Sequence, residues 1–171
     1  MIMKWVYQKY QLFLIILNRL GTWLCMGCIA ALVVVTGVQV FSRYFLNMPP
    51  VWAESSCMLL ILTVAFIGGS LCVREDLHLS LMYFVTRLSG RWKRITNVLV
   101  VLMILAFGGT LLVGGIKTTV QVWEVRDPTL PIPRGSYYLP LALAGLLIVL
   151  FQIEKLVSAL GEFRSSAKEM D

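Results

Sequence analysis

The sequence predicts an all-α membrane protein of four transmembrane helices, and three observations carry that prediction. Four stretches, residues 20–42, 55–73, 95–116 and 135–153, contain no Asp, Glu, Lys, Arg or His. Each approaches the roughly 20 apolar residues with which a helix crosses a ~30 Å hydrocarbon core. Basic residues gather on alternate connecting segments, and all six prolines lie toward the opposite side, Pro140 in the first turn of the fourth span. A transmembrane β-barrel would show alternating apolar and polar residues in segments of about ten, a pattern missing here. With 58% hydrophobic and 14% charged residues, too little polar surface remains to solvate a bundle of buried helices.

Charge sets the expected orientation. Lys4, Lys9 and Arg19 precede the first span. Arg74, Arg87, Arg91, Lys93 and Arg94 lie between the second and third, and Lys155, Arg164 and Lys168 follow the fourth. Only Arg43, Lys117, Arg126 and Arg134 fall on the other side. The positive-inside rule places both termini in the cytoplasm. The net charge of +6 is therefore a topology signal and implies no nucleic-acid partner.

Residues 1–19 mix Trp5, Tyr7, Tyr10 and Phe13 with Lys4, Lys9, Asn18 and Arg19. The apolar run 12–17 is too short to cross, so an interfacial helix feeding the first span is expected. Arg19 after that short run, with no small-x-small site beyond the next span, argues against a cleaved signal peptide. The first span is expected over 20–45, closed by Arg43-Tyr44-Phe45-Leu46-Asn47. Pro49 and Pro50 stiffen the turn, Trp52 suits the outer interface, and Glu54 suits the positive end of the second span, 55–73.

After Arg74-Glu75-Asp76, the residues Leu77, Leu81, Phe84, Val85 and Leu88 recur at helical spacing. An amphipathic helix over 76–90, lying on the cytoplasmic surface, is expected. Arg91, Trp92, Lys93 and Arg94 would anchor it to lipid, each basic residue contributing about 1 kcal/mol near an anionic surface. The third span, 95–122, carries Ala106, Thr110 and Gly114 four apart, a small-residue stripe for close helix packing. The outer loop 123–136 holds Pro128, Pro131 and Pro133, which favour a semi-rigid backbone. Tyr137 and Tyr138 open the fourth span, 137–157, and 158–171 form a cytoplasmic tail.

The chemistry of an independent pump is missing. Such cores keep a charged residue or a broken helix near the bilayer midplane. Here the midplane offers only Thr36, Thr63 and Thr110, and no span centre holds a proline. No phosphate loop or metal-ligand cluster occurs, and the single histidine, His78, reads as an interface residue. No catalytic residue, cofactor or metal is expected. Arg43 and Glu54 sit at the outer ends of adjacent spans. They could pair across the short loop, or each could anchor its own helix.

These features resemble the small membrane subunit of tripartite ATP-independent periplasmic (TRAP) transporters, the DctQ type. The resemblance rests on Arg43-Tyr44-Phe45-Leu46-Asn47, then Pro50-Val51-Trp52-Ala53-Glu54, Phe66-Ile67-Gly68-Gly69 and Arg74-Glu75-Asp76-Leu77-His78. It continues through Leu130-Pro131-Ile132-Pro133 to Gly145, covering roughly residues 20–155. The family commonly has two adjacent acids where this chain has Glu54-Ser55, and glycines where it has Glu75, Asp76 and Leu77. The resemblance implies a non-catalytic partner of a large multi-span subunit that carries substrate and sodium. It also implies a periplasmic binding protein delivering an organic acid, such as a C4-dicarboxylate or a sialic acid. The outer candidates for docking are Arg43, Trp52, Glu54, Arg126, Asp127 and Arg134.

Two other classes fit less well. A four-span thiol-disulfide oxidoreductase matches the length and span count. It needs paired thiols reachable in outer loops, whereas Cys25, Cys28, Cys57 and Cys72 all fall within or at the ends of spans. A small multidrug exporter would want an acid inside a span, and none is present.

Overall fold

A computed structural model describes residues 2–48, 50–74 and 90–168, with side chains over 9–48, 50–74, 96 and 98–156. Four helices follow in order: α1 (Ile2–Phe45), α2 (Val51–Arg74), α3 (Gly90–Gln121) and α4 (Leu139–Lys168). A short 3-10 helix, Arg134–Tyr137, precedes α4. All four helices contain a segment long and apolar enough to cross a membrane. Among the described residues the β structure amounts to one isolated bridge, Arg126 to Pro133.

Helix ends differ from the sequence reading for local reasons. The segment 2–19 is continuous with the first span, since no proline or glycine interrupts the run before Gly21. The apolar part of α1, Lys9–Phe45, is 37 residues long. At ~1.5 Å per residue that is roughly 55 Å, nearly twice the hydrocarbon thickness. A helix of that length tilts or emerges from the bilayer. Asn47 adopts φ 51°, the left-handed conformation that closes a helix and that Asn tolerates better than most residues. The second helix starts at Val51, earlier than expected, because Pro50 is well placed there and its carbonyl accepts from Ala53 N–H at 3.1 Å.

Helix α4 continues to Lys168, through much of the segment expected as a tail. Its Leu, Ala, Glu and Lys content favours helix and no proline stops it. The expected surface helix 76–90 lies outside the described residues except for Gly90, which opens α3. Arg91, Trp92, Lys93 and Arg94 form the first turn of α3, and their side chains are outside the described set.

The helices pack as an open row rather than a closed bundle. Helix α1 lies on α2, α2 on α4, and α4 on α3, while α1 touches α4 only slightly. Among the described residues α3 makes no contact with α1 or α2. The spatial order is therefore 1-2-4-3. The connections between α1 and α2 and between α3 and α4 lie at one end, here termed the proline-rich end, and the chain ends lie at the other.

Lipid tails are as apolar as leucine, so helices in a membrane associate through close packing and a few polar ties. The α3–α4 contact is the tightest. A Cβ at Gly115 would lie 2.7 Å from the Ala142 nitrogen, and one at Gly145 would lie 2.4 Å from the Leu112 nitrogen. Only glycine admits such an approach of two backbones. On the other side of the row, Leu14, Cys25, Ile67, Leu71 and Phe151 form a buried cluster joining α1, α2 and α4. Large apolar side chains such as Leu24, Val33, Phe41, Met103, Phe107 and Val113 point outward. That is the pattern of a surface met by lipid or by another membrane protein.

Candidate functional site

The proline-rich end is organised around one carboxylate. The segment after α3 folds back on itself: Arg134 N–H donates to the Val125 carbonyl at 2.8 Å, and Asp127 N–H to the Ile132 carbonyl at 3.1 Å. The 3-10 helix then seats Gly135 against the Thr119 carbonyl and Trp123, where a Cβ would sit 2.7 Å from each. Asp127 points inward. Its Oδ1 accepts from Thr129 N–H at 2.8 Å, Thr129 Oγ1 at 2.5 Å and Leu130 N–H at 3.1 Å. The Tyr137 hydroxyl donates to Oδ2 at 3.2 Å. An Asp whose side chain bonds backbone two and three residues ahead, with proline between, is a stable turn former.

This arrangement explains the acidity of Asp127, which is lowered from 3.8 to about 2. The Thr129 hydroxyl contributes most, followed by the Thr129 amide; partial burial opposes them, and the Leu130 amide and Tyr137 hydroxyl add smaller lowering effects. All these donors favour the ionised form.

A second helix is tied into the same cluster. Ser55, in the first turns of α2, places its Oγ 2.5 Å from Thr129 Oγ1 and 3.5 Å from Asp127 Oδ1. Each hydroxyl has one proton. Thr129 gives its proton to Asp127, so the Ser55 hydroxyl is the donor toward Thr129 and, at longer range, toward Asp127. The chain Ser55 to Thr129 to Asp127 links α2 to the loop that follows α3.

The six residues expected for docking all lie at this end. Arg43, Glu54, Arg126 and Arg134 are exposed, and Trp52 is 44% exposed. The backbones of Arg126 and Arg134 are brought close where the loop folds back on itself. Arg43 and Glu54 are not joined by an ion pair, which leaves each to the ends of its own helix. Asp127 differs from the rest, because its carboxylate is engaged internally. Sequence reasoning missed Ser55, Thr129 and Tyr137 as its partners. The Asp127-Pro128-Thr129 tripeptide was a usable signal for the turn, whereas nothing local marks Ser55.

The stripe Ala106, Thr110 and Gly114 is exposed and turned away from α4, and a Cβ at Gly114 would meet nothing within 4 Å. Within this chain the close approach is made instead by Gly108 and Gly115, on a different face of α3.

The opposite end is held by side chains that reach backbone carbonyls of neighbouring helices. Arg74 donates to the Leu14 carbonyl at 2.5 Å, and Lys155 to the Val73 carbonyl at 2.9 Å. Tyr10 donates to the Leu150 carbonyl at 2.9 Å, tying α1 to α4. Cations near the end of α2 also suit the negative pole of its dipole. Among the described residues no group of His, Cys, Asp and Glu is placed to hold a metal ion. All four cysteines are free, with Cys25 buried, Cys28 and Cys57 half-buried, and Cys72 exposed.

Residues 32–162 match the family described as tripartite ATP-independent periplasmic transporters, DctQ component. The match runs from the middle of α1 into α4 and includes both loops of the proline-rich end. The chain is also 23% identical over 141 residues to the sialic acid TRAP transporter small permease protein SiaQ of Vibrio cholerae serotype O1. That alignment covers 82% of each chain.

Proposed function

We propose a role on one established footing: this chain belongs to the DctQ family, the small permease components of tripartite ATP-independent periplasmic transporters of the bacterial inner membrane. In that role it is a non-catalytic scaffold subunit of a sodium-driven organic-acid transporter. It holds a large multi-span subunit in the membrane and offers its proline-rich end, on the periplasmic side, to a soluble substrate-binding protein. The termini then face the cytoplasm, with Arg91, Trp92, Lys93 and Arg94 at the inner lipid surface. The transported acid is of the C4-dicarboxylate or sialic acid type, and the sialic acid function named for the Vibrio relative supports the second.

The observation that carries this reading is the absence of Asp, Glu, Lys, Arg and His from the four stretches 20–42, 55–73, 95–116 and 135–153. A sodium or substrate path through this chain would need a charged residue or a broken helix at mid-membrane, and the spans offer there only the hydroxyls of Thr36, Thr63 and Thr110. The open row adds support. Two broad apolar faces, one bearing Ala106, Thr110 and Gly114, remain for a second membrane protein. At the periplasmic end, Arg43, Trp52, Glu54, Arg126 and Arg134 present exposed charge and aromatic surface to a soluble partner.

The test is reconstitution in liposomes under a sodium gradient, with radiolabelled sialic acid and succinate as probes. The chain alone should give no uptake, and uptake should appear when the large subunit and loaded binding protein are added. Sodium-driven uptake by the chain alone would overturn the reading.

A further inference from the structure

We propose that Ser55, Thr129 and Asp127 form a positioning latch, which fixes the Arg126 and Arg134 face of the loop against α2 so that the binding protein meets one preset geometry. The proposal rests on the docking role above and deepens it.

The argument starts from the row of helices. Helix α3 touches neither α1 nor α2 among the described residues. The loop that follows α3 is therefore held to α2 from its own side, by the 3-10 helix packed on α2 and by side-chain ties. The hydroxyl relay from Ser55 through Thr129, with a 2.5 Å contact between the two oxygens, supplies one such tie directly. The relay ends on Asp127, the residue next to Arg126. Arg126 is bridged to Pro133, and the neighbouring Arg134 N–H bonds the Val125 carbonyl, so the restraint reaches both arginines through the backbone. Both arginines are exposed, whereas Ser55, Asp127 and Thr129 are half-buried. The two cations are thus available to an acidic surface, and the latch acts through them. Ordering a loop before contact lowers what association must give up in conformational freedom.

The experiment uses the complete transporter in proteoliposomes. Initial uptake is titrated against binding protein loaded with radiolabelled sialic acid, or with succinate where the complex takes up that acid instead. S55A should raise the half-saturating concentration of binding protein about threefold, the effect expected of one lost hydrogen bond, and T129V, which also removes the bond to Asp127, by at least as much. The change should fall on that concentration rather than on the maximal rate, and S55T should restore it. The amount of large subunit that co-purifies is measured in each sample. An unchanged half-saturating concentration in S55A and T129V would overturn the latch. So would loss of the large subunit from those variants, which would make the relay a general stability element. A double variant, R126A with R134A, separates the two claims. If it leaves the half-saturating concentration unchanged, the docking reading itself fails. If it raises that concentration while S55A and T129V do not, the latch alone fails.

Discussion

The guanidinium of Arg74 stands 5.2 Å from the centre of the Phe151 ring while donating to the Leu14 carbonyl. One side chain at the end of α2 thereby joins α4 to the terminal part of α1. Phe151 and Leu14 are both fully buried, so the contact lies inside the packed cluster.

Replacing Arg74 should free the first turns of α1. A cation over an aromatic ring contributes about 0.5–2 kcal/mol, and a charged hydrogen bond a further ~1.5–3 kcal/mol. R74A is expected to lower the melting temperature in detergent, and R74K to recover only part of the loss, since lysine has no planar group to lie on Phe151. Differential scanning fluorimetry would read both. Equal melting of R74K and the parent would show that charge alone suffices.

The α3–α4 contact should be sharply intolerant of volume. A Cβ at Gly145 would fall 2.4 Å from backbone, so G145A must push the helices apart, with a loss of roughly 1–3 kcal/mol from overpacking. Gly109, where a Cβ would meet nothing within 4 Å, is the control on the same pair of helices. G109A is expected to melt at or above the parent temperature, because alanine favours helix by up to ~1 kcal/mol. Equal behaviour of the two variants would contradict the packing described.

Acid should loosen the loop at the proline-rich end. The pKa of Asp127 in the folded loop, about 2, lies below its ordinary value of 3.8. A depressed carboxylate contributes stability that is complete above the ordinary pKa and is lost as pH falls through the folded one. Exchange of the Thr129 and Leu130 amides should therefore be slow above pH ~4 and accelerate between pH ~4 and ~2 after correction for the intrinsic rate. In D127N the same amides should be less protected at neutral pH, with that acid-dependent step gone. Uniform protection across this range in the parent would show that the hydrogen bonds do not depend on ionisation.

Gln152 is 1% exposed and its Oε1 has no hydrogen-bond partner. An unpaired buried acceptor costs about 1–3 kcal/mol, so Q152M should raise the melting temperature of the purified chain. A lower melting temperature would mean that the oxygen finds a donor in the membrane.

Much of this protein was legible from its residues. Charge-free runs near 20 residues mark the spans because lipid excludes ionised groups. Asn47 and Pro50 mark the first turn, since Asn tolerates the left-handed backbone found at 47 and proline cannot continue a helix. Asp127-Pro128-Thr129 carried the loop turn in local sequence. The row order 1-2-4-3 was not legible, since a face that meets lipid and a face that meets a helix are both apolar. For the same reason α3 offered two small-residue faces, and the Ala106, Thr110 and Gly114 stripe could not be told from the Gly108 and Gly115 face that packs on α4. The hydroxyls of Ser55 and Thr129 lie 74 residues apart in the chain. Their pairing follows only once α2 and the loop share one end of the row. The sequence by itself determined how often the chain crosses the membrane, because burial of charge in lipid is forbidden one segment at a time. Tertiary structure alone decided which helices touch and which carboxylate holds the loop, because those depend on backbone approach between segments that no local pattern relates.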